Sequence, residues 1–196
     1  KHIGLYKELK DDEEVLFESK IVTPVVFLKE AESKQLGRHT RQEVPISVCQ
    51  TNIYMTNERL LFLVLYQLQA TELVKDKKQK SSKLSGVSGS WFEIPRSAVQ
   101  NAEMRPLKLL KGKEVYRFFK NLHPEKEDLR SFLQTPSLEL IYDEQEATGR
   151  IKDYTKALLN LGFFGNMFTT IEKTYDKIII VSSEAVSLLP SMKSGL

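Results

Sequence analysis

The chain has 196 residues and a net charge of +3, with 41% hydrophobic and 28% charged residues. That length and apolar content point to one domain, or one domain with an appendage, and exclude global disorder, while the slight basic excess allows an anionic partner without demanding one. A single cysteine, Cys49, excludes an internal disulfide and any zinc site built from several thiols, which suits a reducing, cytoplasmic setting.

The first residues, KHIGLYKELKDDEE, have no apolar centre of the signal-peptide kind, and the chain starts without methionine, as a trimmed chain or a fragment would. Residues 1–11 read as a short helix or a loose arm. From Glu14 to Leu28 the residues Val, Ile and Phe predominate, and Pro24 interrupts them, so one or two strands with a break or edge at the proline are expected. AESKQLGRHTRQEVP then reads as a polar loop. Ile46 to Met55 reads as a strand, Thr56-Asn57-Glu58-Arg59 as a turn, and Leu60 to Leu68 as the partner strand, apolar on both faces and therefore central. The longest apolar run, Leu60 to Tyr66, falls well short of the roughly 20 residues of a membrane-spanning helix.

Val74 to Ser90, VKDKKQKSSKLSGVSGS, is expected to be a flexible loop, being rich in Lys, Ser and Gly. Trp91 to Pro95 reads as a short strand stopped by proline, Ser97 to Met104 as a weakly alternating strand, and Glu114 to Leu122 as a strand or a helix. Ser137 to Tyr142 is a compact strand. The period then changes: Ile151, Tyr154, Leu158 and Leu161 lie on one face of a helix that Gly162 and Gly165 would end or kink. Ile178 to Val181 is a β-branched run, an extra strand or a docking segment able to pair with an open sheet edge of its own or another copy. There is no internal repeat. Strands come first and a helix last, without the alternation of a parallel α/β sheet. The expected class is α+β, mainly β: a strongly bent antiparallel sheet capped by one C-terminal helix.

The strand and turn at Tyr54-Met55-Thr56-Asn57-Glu58-Arg59-Leu60-Leu61-Phe62 resemble the lTN-x-RLiF motif of GRAM domains and related pleckstrin-homology-like domains. Glu13 to Glu18 is similar to the opening GE-x-vlf strand, with Asp12 where glycine is common. Phe92 to Val99 is similar to the f-x-IP-x-s-x-I strand after the variable loop, and Ser137 to Tyr142 before a helix resembles the last strand and closing helix. The resemblance covers residues 12–162 and leaves 105–136 and 163–196 unexplained. It implies a seven-stranded, partly open antiparallel barrel capped by a helix, and a scaffold that binds phosphoinositides, other lipids or protein segments. Fold does not settle function.

The candidate sites follow from charge and apolar clustering. Lys75, Lys77, Lys78, Lys80 and Lys83 fall in one short segment, and anionic lipid headgroups attract each such lysine by about 1 kcal/mol near a bilayer. Arg59 and Arg96 are candidate companions in that anionic contact, although Thr56 to Arg59 also has the composition of a plain sheet corner. No aromatic residue interleaves with the lysines, which argues against nucleic acid. Phe163, Phe164, Met167 and Phe168 form a dense apolar cluster, expected in the core or, if exposed, as a dimer or partner interface or an interfacial membrane anchor. HExxH, a glycine-rich phosphate loop and GxSxG do not occur, His2, His39 and His123 are far apart, and Cys49 sits within a strand as a small buried side chain. The sequence reads as a non-enzyme with no metal or cofactor. Two functions are expected as alternatives. One is a module recruited to an anionic membrane surface or a protein partner, cytoplasmic and peripheral to the membrane. The other is a protein-interaction or oligomerisation module with no lipid role.

Overall fold

The structure, a computed structural model, describes residues 2–4, 7–35, 37–69, 89–107, 129–149 and 169–193. The lysines at 75–83, the segment 114–122, the expected helix at 151–162 and the Phe163–Phe168 cluster lie outside the described residues. Strand dominates. A small hairpin of β1 (His2–Ile3) and β2 (Lys7–Glu8) precedes β3 (Val15–Glu18), β4 (Thr23–Gln35), β5 (Arg38–Thr56) and β6 (Arg59–Gln69). Then come β7 (Ser90–Pro95), a 3-10 turn at Arg96–Ala98, β8 (Val99–Met104), the short helix α1 (Leu129–Gln134), β9 (Ser137–Tyr142), β10 (Thr148–Gly149), β11 (Thr169–Val181) and the helix α2 (Ala185–Lys193).

Every ladder in the main sheet is antiparallel, and the strand order is β10-β7-β6-β5-β4-β11-β9-β8, with β3 attached to the end of β5. The sheet is open: no ladder joins β8 to β7 or β10 among the described residues. The double-sided apolar pattern of β6 has a direct structural cause. Leu60, Phe62 and Val64 face the main core, while Leu61 and Leu63 face a second cluster with Leu9 and Tyr54, against which Ile3 and Trp91 pack. The N-terminal arm therefore covers the outer face of β5 to β7. Gly4 allows that approach: at φ +50 a Cβ would sit 3.1 Å from the Trp91 ring.

The main core holds Phe27 edge-on to Phe92 at 5.1 Å between ring centroids, with Phe62 and Tyr142 beside them, and is closed by Leu188 and Met192 of α2. The capping helix described by the structure is thus Ala185–Lys193. Ile178 and Ile180 lie in the same core, and β11 pairs with β4 on one side and β9 on the other. The β-branched run at 178–181 is therefore central, and the fold continues to Lys193. The break expected at Pro24 falls instead between β3 and β4, at residues 19–22, and Pro24 pairs with Gln50 inside β4.

The stretch AESKQLGRHTRQEVP is strand on both sides of a tight hairpin at Gly37, whose φ is +80. β4 and β5 stay paired out to Gln35↔Arg38, and β11 runs beside β4 to Thr169. The described part of β6 ends opposite Ser47 and β9 ends opposite Asp176, so among the described residues a three-stranded ribbon projects from the sheet. The eight residues from Leu28 to Gln35 give it a reach of about 27 Å. Side chains change from apolar to charged at its root. On one face Lys177 lies 2.7 Å from Glu30 and 3.4 Å from Glu139, while Arg105 contacts Glu139 and bonds Glu43 at 2.6 and 2.8 Å. On the other, Lys29 lies 3.5 Å from both Asp176 and Glu144. Charged groups so deeply placed need such pairing, because unpaired burial costs several kcal/mol.

Candidate functional site

The two described residues of the expected anionic contact, Arg59 and Arg96, come together at the Thr56–Arg59 corner. They line an open cleft of about 500 Å³ with Lys10, Glu58 and Ser97. The turn supplies its own bonds. The Thr56 hydroxyl accepts from the amides of Glu58 and Arg59 at 3.1 and 3.0 Å and donates to Glu13 at 2.7 Å. The Asn57 side chain accepts from the Glu14 amide at 2.8 Å and donates to the Asp12 carbonyl at 3.0 Å. The amides of Asn57 and Arg96 donate to the carbonyls of Glu14 and Glu58. These five backbone amides are used inside the fold.

Arg59 is committed in the same way. Its Nε and Nη2 donate to the two oxygens of Glu13 at 2.7 and 2.8 Å, its Nη1 to Glu93 at 2.6 Å, and its Nη2 also to the Glu8 carbonyl at 3.1 Å. Lys7 pairs with Glu93, and Lys10 with Glu58. Burial pushes the Glu13 carboxyl up, but the Arg59 guanidinium, the Thr56 hydroxyl and the Lys10 amide outweigh it and hold the group down at about 2. Burial, and then the Arg59 charge, push the Lys7 ammonium below its ordinary value. Arg96 donates to the Ser191 carbonyl, near the end of α2, and to the Asn57 carbonyl at 3.4 Å. Cationic side chains favour helix C-termini, whose last carbonyls lack partners in the helix. Arg59 thus locks the N-terminal arm to the corner, and Arg96 locks α2 to it.

The ribbon tip has a different character. Lys34 and Arg38 are exposed on either side of the Gly37 turn and have no carboxylate partner among the described residues. Arg41, further along β5, is held by Glu32. Tip and corner lie at opposite ends of the 19-residue β5, so Arg59 and Arg96 do not share a surface with Lys34 and Arg38. Before the segment carrying the five lysines the last described residue is Gln69, which pairs with Ser47 at the root of the ribbon, and after it the first is Gly89, whose amide donates to the Val64 carbonyl. Lys34 and Arg38 escaped the sequence reading because AESKQLGRHTRQEVP lacks an apolar face; the available signal was a glycine flanked by basic residues.

Cys49 is fully buried beside Ser47, its sulfur 3.6 Å from the hydroxyl oxygen, and burial pushes its thiol up to about 12. A thiol so protonated is a poor nucleophile. Comparison with models of known protein families, with curated proteins and with solved structures finds no match.

Proposed function

We propose that the chain is a non-catalytic, pleckstrin-homology-like binding module that attaches to an anionic lipid surface through the end of the sheet from which the β4–β5 ribbon projects. The architecture supports the module reading: seven longer strands, β4 to β9 and β11, form an open antiparallel sheet followed by one capping helix. The observation that carries the surface reading is the ribbon, which presents Lys34 and Arg38 without acidic partners among the described residues and has Gln69, the last described residue before the lysine-bearing segment, at its root. Each basic residue near an anionic bilayer contributes about 1 kcal/mol, so seven acting together suffice for reversible attachment. Arg59 and Arg96 serve the fold in this reading.

The test is co-sedimentation of the chain with vesicles of anionic or neutral lipid at low and high salt. Binding to anionic vesicles that falls steeply with salt is expected. Lys34→Glu with Arg38→Glu should weaken it, and changing Lys75, Lys77, Lys78, Lys80 and Lys83 to Ser should abolish it. No binding of the unaltered chain at low salt would sink the proposal. The second function, a protein-interaction or oligomerisation module, is favoured by one specific observation, a strand edge on the ribbon with no partner strand among the described residues.

A further inference from the structure

β9 ends opposite Asp176, so beyond that point β11 has a single neighbour among the described residues. From Thr169 to Thr174 it pairs with β4, and its other edge faces no strand among the described residues. Six residues of strand make an edge about 20 Å long. Its sequence, TTIEKT, is rich in β-branched residues and has no proline. The ribbon's opposite edge, on β5, is blunted by Arg38, Arg41 and the proline at 45, which lacks an N–H.

We infer that the Thr169–Thr174 edge of β11 pairs antiparallel with the same edge of a second copy of this chain, about a two-fold axis between Glu172 and Lys173. In that register Glu172 of each copy stands opposite Lys173 of the other, and Ile171 opposite Thr174. Opposite charges directly across an antiparallel pair attract, and like charges repel. A two-fold pairing sets one surface against itself, so only a self-complementary edge fits, and this one is self-complementary.

The bulge in β11 makes the register permissible. In a regular strand, successive residues turn their N–H and C=O groups to alternate edges, so residue i cannot stand opposite residue i+1 of a copy. Here Ile171 pairs with Ser33 and Lys173 with Glu32, leaving Glu172 as the extra residue. Ile171 and Thr174 consequently fall opposite Ser33 and Ala31, two residues of β4 with the same alternation. Both turn the same way, and each can bond to the other across the axis.

The inference is independent of lipid attachment, and its test reads a different quantity: the mass of the full chain by sedimentation velocity over a wide concentration range. Concentration-dependent dimers are expected. Glu172→Lys sets Lys against Lys twice, and Lys173→Glu sets Glu against Glu twice, so each alone should weaken dimerisation at least about tenfold. The double swap restores complementarity and should restore the dimer, and an equimolar mixture of the two single variants should form a heterodimer. Circular dichroism of each variant confirms that these edge changes leave the fold intact. A monomer at every concentration overturns the proposal and leaves the edge to a strand of another protein. A dimer indifferent to both single reversals overturns it too.

Discussion

Replacing Arg59 by alanine separates two roles for the corner, fold latch and ligand contact. The Glu13 side chain is 0% exposed and that of Arg59 16% exposed, with contacts of 2.7 and 2.8 Å between them. Arg59→Ala leaves the Glu13 carboxylate, among the described residues, with the hydrogen bonds from the Thr56 hydroxyl and the Lys10 amide. Removing one partner of a buried pair costs about 3–5 kcal/mol. The Glu13 carboxyl, held down from 4.5 to about 2 by Arg59 together with the Thr56 hydroxyl and the Lys10 amide, points in the same direction. Urea unfolding at pH 7 should therefore lose about 3 kcal/mol, a midpoint fall of about 1.5 M for a slope of about 2 kcal/mol/M. Glu13 binds fewer protons folded than unfolded, so its contribution is present above its unfolded value and lost as pH falls from about 4.5 to about 2. The gap between the unaltered chain and Glu13→Gln should close over that window. Vesicle binding by folded Arg59→Ala should be unchanged. A variant within about 0.5 kcal/mol of the unaltered chain that no longer binds anionic vesicles would refute the latch and return Arg59 to the ligand surface.

Phe62 is 0% exposed between Phe27 and Phe92, so Phe62→Ala should cost about 3–5 kcal/mol in the same unfolding assay. Asp176 titrates in the opposite sense from Glu13. Burial pushes its carboxyl up to about 6, with Lys29 opposing the rise and Glu144 adding to it. It binds more protons folded than unfolded, so stability should fall as pH rises from about 4 to about 6, and Asp176→Asn should flatten that slope when midpoints are compared across the range.

The parts of the fold legible in the sequence are those whose signal is local. The turn Thr56 to Arg59 carries the residue types its backbone demands, and the structure has a sheet corner there. Trp91–Pro95 and Ser137–Tyr142 lie inside strands, and the double-sided apolar run of β6 is central because the N-terminal arm covers its second face. The ribbon was illegible because alternation shows in a sequence only when one face is apolar, and both faces of the ribbon are charged at its root. The place of β11 was illegible for another reason: it lies between β4 and β9, and its Lys177 bonds to a residue 147 positions away. The candidate site divides in the same way. The composition of the lysine segment was visible, whereas the partners that occupy Arg59 and Arg96 lie 46 and 95 positions distant.

The sequence by itself determined that the protein is mainly antiparallel strand and where its central hairpin turns, because these depend on periodicity and turn chemistry over a few neighbours. Only the tertiary structure decided which cations are spent inside the fold and which remain exposed. A guanidinium has the same charge everywhere in a sequence, and its availability to a ligand depends on the carboxylates and carbonyls that distant strands bring to it.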